Sequence, residues 1–396
     1  MKLSSRINRL TPSATFAMAA KSAELKASGV DVINMSVGEP DFNTPDHIKA
    51  AAHKAIDENY SRYSPVPGYA DLRKAVCRKL STENSLEYTP DEILISNGAK
   101  QSLCNAVMAL VDKDDEVVIP TPCWVSYMQM VLLADGVPVT VRAGIEQDFK
   151  VTAGQLEAAI TEKTRLVMLC SPSNPTGAVY SAEELESLAK VILSHPDLMV
   201  ISDEIYEHIN YVGTHTSIAS FPGMKERTIV INGVSKAYAM TGWRIGFMAA
   251  PQWVVKGCNK LQGQYTSGPC SLSQKTAEAA WLEDQQCVED MREVFQRRRD
   301  LIYDLASRIP GLEVSKPQGA FYLFPKCSSF FGKSFGGRTI GSGDDMAMYL
   351  LEEAHVATVG GDSFDAPDCF RMSYATSDDQ IVKGLERIGA ALGKLK

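Results

Sequence analysis

The sequence predicts an α/β fold built on a mostly parallel sheet sandwiched by helices, and three observations carry that prediction. Short apolar runs at 93–96, 117–120, 165–170, 199–202 and 228–232 have the length and continuity of strands buried on both faces. Helix-like stretches at 99–111, 125–134 and 181–194 fall between them, as crossovers between parallel strands require. Each run also ends at once in small and polar residues, where an open α/β sheet gathers its ligand-binding loops.

Taken in order, the chain opens with Lys2, Arg6 and Arg9 before ATFAMAA, a pattern that mimics a secretory leader. The apolar part is short, however, and its continuation KSAELKASG is amphipathic. Thr11 as N-cap, Pro12 at the first helical position and Gly29 past the end describe an ordinary helix. After about Gln285 the character changes: 289–309 reads as one long charged helix, followed by EVSKPQGAFYLFP and a last α+β segment. Arg297, Arg298 and Arg299 read as a solvated face of that helix. We therefore expect a large domain over 46–285 and a smaller α+β domain made from 1–45 and 286–396. The Gly- and Ser-rich stretch 328–345 is the expected flexible loop.

Composition narrows the function classes. The chain has 396 residues, with 40 Lys and Arg against 48 Asp and Glu, a net charge of −8. That balance argues against nucleic-acid binding by bulk charge, yet leaves room for a basic pocket. The nine cysteines show no CxxC or CxxH spacing, and Cys104 and Cys170 sit inside apolar runs. They read as buried free thiols in a reducing compartment rather than as a disulfide frame or zinc site. The six histidines include no metal-binding helical pair. No apolar run approaches the roughly 18 residues of a membrane span. The expectation is a cytoplasmic protein with no resident metal.

The polar clusters at the strand ends carry the chemistry. They are Asn97-Gly98-Ala99-Lys100-Gln101, Thr121-Pro122-Cys123-Trp124, the SPSNPTG run at 171–177, Asp203-Glu204-Ile205-Tyr206 and Gly233-Val234-Ser235-Lys236. The NGAK turn is a weak phosphate-cradle signal alone, since small residues let backbone N–H groups approach an anion. Trp124 taken singly reads as a core aromatic. Asp203, after four apolar residues, is costly to bury unless a cation or strong donor meets it. Lys236, among small and apolar residues, is a candidate Schiff-base former, because desolvation lowers a lysine pKa. Ser235 and Arg244 can serve the same anion. Pyridoxal phosphate needs such a lysine, a carboxylate for the ring nitrogen, an aromatic face and cations for its phosphate. No GxGxxG run supports a dinucleotide instead.

The segment GVSKAYAMTGWRIG at 233–246 resembles the lysine signature of class I aminotransferases. VGEPDF (37–42), RYSPVPGYADLR (62–73), NGAKQ, PCWVSY, SPSNPTG, SDEIYE and FRMSYATS (370–377) follow the family's order across nearly the whole chain. The pattern is most similar to the bacterial aspartate aminotransferase subgroup, a fold-type I pyridoxal-phosphate enzyme and homodimer. The resemblance implies that Lys236 holds the cofactor as a Schiff base and shuttles the proton. Asp203 would pair with the ring nitrogen, Tyr206 and Asn174 would donate to its phenolic oxygen, and Trp124 would stack on the ring. Ala99, Lys100, Ser235 and Arg244 would line the phosphate pocket, with Tyr63 arriving from the partner subunit. Arg371 would clamp the substrate α-carboxylate, and Gly38 would let backbone approach it. Lys100, helped by hydroxyls near Ser13 and Thr15, would meet the distal carboxylate of aspartate or glutamate, and closure of the small domain would follow dicarboxylate binding.

Alternatives stand beside this reading. Prephenate-using or aromatic aminotransferases of the same subgroup share nearly every motif; Tyr265, in QGQYTSG, departs from the family pattern the chain resembles, which implies a smaller polar residue there. A pyridoxal-phosphate C–S lyase would share the lysine machinery but consume the amino acid without an acceptor. A regulator with this fold would need an added DNA-binding domain, and a non-enzymatic binder would not need both Lys236 and Arg371.

Overall fold

The computed structural model describes residues 2–12 and 14–396. A seven-stranded sheet occupies the middle of the chain. Its strands are β1 (Ile93–Ser96), β2 (Glu116–Thr121), β3 (Val137–Arg142), β4 (Thr164–Cys170), β5 (Met199–Asp203), β6 (Thr228–Gly233) and β7 (Gly246–Ala249). Their spatial order is β1-β7-β6-β5-β4-β2-β3, and β7 alone runs against the others. The sequence runs for β1, β2, β4, β5 and β6 are all found. It did not reveal β3, an edge strand whose pattern is half-exposed and contains Pro138, nor the four-residue β7.

Alternation along these strands feeds two apolar layers. Leu94, Ile119, Met168, Ile201, Ile231 and Met248 face one side, packed with residues of the Ala99–Leu110, Ser126–Leu133 and Gln252–Tyr265 helices. Ile95, Val230 and Phe247 face the other beside the Ala70–Asn84 and Ser271–Leu282 helices, while Val118, Val167 and Val200 meet Leu185, Leu188 and Ile192 of Ala182–Ser194. That last helix begins where the sequence says it should. Ser181 Oγ accepts the Glu184 amide at 3.2 Å, and Glu184 returns a carboxylate oxygen to the Ser181 amide at 2.7 Å.

The two ends of the chain build a second core. Ile33–Asn34 pairs in parallel with Val356–Ala357, and Phe370–Ser373 lies between Val359–Gly360 and Tyr322–Leu323. The Gln286–Ser307 helix supplies Phe295 and Ile302. Asp378–Leu392 supplies Ile381, Leu385, Ile388 and Leu392 at helical spacing, capped by Ser377.

Several local expectations need correction. The N-terminal helix runs Ala14–Ala27, so Thr11 and Pro12 precede it; the Thr11 amide is held outside by Gln129 Oε1 at 3.0 Å. Gly29 lies past the helix end at φ +91° as expected. Arg298 and Arg299 are buried, not solvated: Arg298 forks onto Asp41 at 2.7 and 3.0 Å, and Arg299 donates to the Pro317 carbonyl at 2.7 Å. The 328–345 stretch contains a small hairpin, Ser334–Phe335 against Arg338–Thr339. Cys104 and Cys170 are only half-buried and Cys270 is exposed; Cys170 opens on the cleft described next. Among the described residues, no helix is long and apolar enough to cross a membrane.

Candidate active site

A cleft of about 560 Å³ opens at the carboxyl ends of the parallel strands, against the second core. Asp203 ends β5 and is buried. Its Oδ2 accepts the Tyr127 hydroxyl at 2.6 Å and its Oδ1 the Ile205 amide at 3.3 Å. Burial pushes its pKa up to about 6, against the opposing hydrogen bond from Tyr127. Lys236 follows β6 and donates to the Gly38 carbonyl at 2.7 Å. Desolvation brings its pKa down to about 8, with Glu39 opposing and Arg244 and Arg371 adding to the fall. A lysine in that state is a nucleophile within reach of neutral pH.

The start of the Ala99–Leu110 helix forms one wall. Gly98 precedes it at φ +81°, and a Cβ there would overlap the Arg244 guanidinium. A Cβ on Gly246 would overlap the Ala99 amide nitrogen. Both positions therefore require glycine for Arg244 and the helix N-terminus to pack together. Arg244 is itself anchored to the carbonyls of Thr241 and Asn97, at 2.9 and 3.2 Å. Ser235 completes this corner. Free helix amides, a hydroxyl and a guanidinium suit a phosphate group. Lys100 lies 4.7 Å from the Trp124 ring, its pKa lowered by burial and then by Arg244.

Arg371, in the Phe370–Ser373 strand, is 1% exposed. It donates to Asn174 Oδ1 at 2.9 Å and to the Ser36 carbonyl at 2.7 Å, between Tyr322 and Phe364 at 4.5 and 5.1 Å. Its Nε has no hydrogen-bond partner, and among the described residues no carboxylate pairs with it. A buried guanidinium left this way is costly unless an anion arrives. Tyr322 also meets the Tyr206 hydroxyl at 2.8 Å, and its own hydroxyl is what a Cβ on Gly38 would strike.

Four cations, Lys100, Lys236, Arg244 and Arg371, thus share one cleft in an acidic chain. With that geometry in view, the sequence comparisons decide the family. The family model described as aminotransferase class I and II matches residues 30–388. The chain belongs to that family. It is 48% identical to an aspartate aminotransferase of Geobacillus stearothermophilus, covering 98% of each chain. An aspartate/prephenate aminotransferase of Cereibacter sphaeroides is 46% identical, again over 98% of each. The crystal structure of the aspartate aminotransferase from Rhizobium meliloti superposes with a TM-score of 0.96 at 44% identity, covering all of both chains.

In this aminotransferase the cleft brings together Gly38, Ala99, Lys100, Trp124, Asn174, Asp203, Tyr206, Ser235, Lys236, Arg244 and Arg371. Tyr63 is absent from it and is fully exposed. Thr15 lines the cleft, whereas Ser13 lies outside the described residues. Sequence reasoning did not single out Tyr127 or Tyr322. Tyr127 had a signal, because it lies three residues after Trp124 at a helix start, and the two rings meet edge-on at 5.6 Å. Tyr322 had none, being one of several aromatics in GAFYLF.

Proposed function

We propose that this aminotransferase moves the amino group between L-aspartate or L-glutamate and a 2-oxo acid, 2-oxoglutarate or oxaloacetate, with pyridoxal phosphate as its cofactor. The observation that carries the proposal is Arg371, a buried guanidinium lacking a carboxylate partner, in the same cleft as Lys236 and Asp203. The residues fit the cofactor. Ala99, Ser235 and Arg244 suit its phosphate, Asp203 its ring nitrogen, and the Trp124 face its ring. When bound, pyridoxal phosphate supplies an aldehyde for the amino group and a ring that withdraws electrons from the substrate Cα.

The chain's own groups do the rest. Lys236 Nζ would hold the cofactor through its aldehyde carbon, and its free amine would carry the proton between the substrate Cα and that carbon. Its depressed pKa leaves a usable fraction of free amine near neutrality. Asp203, oriented by Tyr127, keeps the ring nitrogen protonated. Tyr206 and the amide of Asn174 donate to the phenolic oxygen. Arg371 fixes the α-carboxylate by two parallel hydrogen bonds, for which lysine is a poor replacement. Lys100 meets the distal carboxylate, which makes acidic substrates the favoured ones. The expected division into 46–285 and the joined termini lets the smaller domain, which carries Arg371 and Gly38, close over a bound substrate and exclude water. The working form is a cytoplasmic homodimer in which Tyr63 serves the partner's phosphate pocket; its complete exposure in one chain supports this.

A second reading, prephenate as amino acceptor, is favoured by the Cereibacter relative's name. A coupled assay separates the two. Aspartate with 2-oxoglutarate should yield oxaloacetate, detected by its reduction with malate dehydrogenase. Turnover with prephenate but none with 2-oxoglutarate would replace the first reading by the second.

A further inference from the structure

The face of the 203–207 turn that points away from the cleft carries charges the proposed chemistry does not use. Glu207 and Lys79 are both buried and form an ion pair. Lys79 Nζ also donates to Asn84 Oδ1 at 2.7 Å, and the Asn84 amide donates back to Glu207 Oε2 at 2.7 Å. The Asn232 amide donates to Glu207 Oε1 at 2.6 Å, while Asn232 Oδ1 accepts the Gly233 amide at 2.7 Å. Glu83 and His208 crowd the same place, but the Lys79 ammonium stands between the carboxylates as the cation.

One carboxylate thereby joins three pieces of chain. Glu207 is four residues after Asp203 and next to Tyr206. Asn232 lies near the end of β6, four residues before Lys236. Lys79 and Asn84 belong to the last turns of the Ala70–Asn84 helix. Glu204 secures the other flank of the turn, accepting from Ser202 Oγ at 2.8 Å and Ser217 Oγ at 2.6 Å and contacting His215 at 3.0 Å. A buried ion pair is a weak source of stability, because desolvation offsets its attraction, and its best-attested use is to fix register. The geometry points to Glu207 as a positioning residue: through Asn232 and its own turn it sets the placement of Asp203 relative to Lys236. This rests on the cofactor reading above, in which those two groups address opposite ends of one ring.

Two variants test it. Asn232→Ala deletes the link from Glu207 to β6 together with the Asn232 side-chain bond to the Gly233 amide, and leaves both charges of the ion pair in place. Lys79→Met combined with Glu207→Leu removes both charges together, so no buried charge is left unpaired. In cooperatively melting protein, each variant should shift the pH midpoint of the cofactor's visible band by about half a unit or more. Each should lower kcat with L-aspartate about tenfold while KM changes less than about twofold. In cofactor-free protein, amide hydrogen exchange should quicken in 203–207 and 232–236 and not elsewhere. Wild-type midpoint, kcat and exchange in Asn232→Ala would overturn the proposal. So would loss of fold in that variant, or a double variant restored to wild-type kinetics, since either makes the network a matter of stability alone. If the wild-type protein shows no visible band with pyridoxal phosphate, the cofactor reading fails instead, and the exchange experiment still tests the link.

Discussion

Arg371→Lys is the most informative single substitution, because it keeps the buried charge and removes only its shape. The guanidinium reaches Asn174 and Ser36 through two different nitrogens while Nε is left for a ligand. An ammonium on a four-carbon stem cannot hold those partners and also span both oxygens of a carboxylate. A hydrogen bond to a charged group contributes about 1.5–3 kcal/mol, and the lysine should forfeit one such bond together with its alignment. A loss of about 2–3 kcal/mol in transition-state binding corresponds to a fall of about 30- to 150-fold in kcat/KM. The assay is single-turnover reaction of the cofactor-loaded protein with L-aspartate and with β-alanine, which is aspartate without its α-carboxylate. We expect the full loss with aspartate and less than about a threefold change with β-alanine. Equal losses with both would refute the assignment of Arg371 to the α-carboxylate, as would a variant that keeps wild-type kinetics with aspartate.

Three further outcomes follow from the same geometry. Lys100→Ala should cost activity with aspartate and glutamate far more than with phenylalanine or tyrosine, by about tenfold or more in the ratio of kcat/KM, as loss of one charge-assisted contact implies; equal losses would show that Lys100 does not read the distal carboxylate. Asp203 has a raised pKa in the folded state, so between about 4 and 6 the folded chain holds a proton the unfolded chain has lost, and stability falls as pH rises through that window. In cofactor-free protein Asp203→Asn should therefore be more stable than wild type above pH ~6, by up to about 3 kcal/mol, and equal to it below pH ~4, in urea titrations at several pH values; its turnover should collapse at every pH. Tyr127→Phe removes the donor that holds Asp203 down, so in cofactor-free protein the pH window over which stability falls should extend upward in the same urea titrations; an unmoved window would separate Tyr127 from the ionisation of Asp203.

Much of this was legible because the central sheet is covered on both faces. Its buried strands must be continuous apolar runs, and the residues that break those runs, such as Asp203 and Lys236, stand out by contrast. The edge strand β3 lacked that contrast by exposure, and the reversed β7 runs on into Ala250 and Pro251 with no polar cluster at its end. Arg298 and Arg299 misled because a run of arginines on a charged helix gives no local sign that Asp41 and the Pro317 carbonyl will meet it across the fold. Thr11 and Pro12 offered a sound local start for a helix, and a distant acceptor on Gln129 overrode it. Tyr322 became visible only when folding brought it against Tyr206, Gly38 and Arg371. The Glu207 network was hidden in plain view within SDEIYE, since a sequence does not say which acidic residues of a motif face the ligand and which face the core.

The central claim is tested most directly by the visible spectrum of the purified protein with pyridoxal phosphate, titrated first with L-aspartate alone and then with 2-oxoglutarate. We expect aspartate to convert the lysine-linked band to a pyridoxamine-type band at shorter wavelength, and the keto acid to restore it, with Lys236→Ala showing no lysine-linked band at the outset. A band that forms on Lys236 but is left unchanged by aspartate would contradict the acidic-substrate assignment.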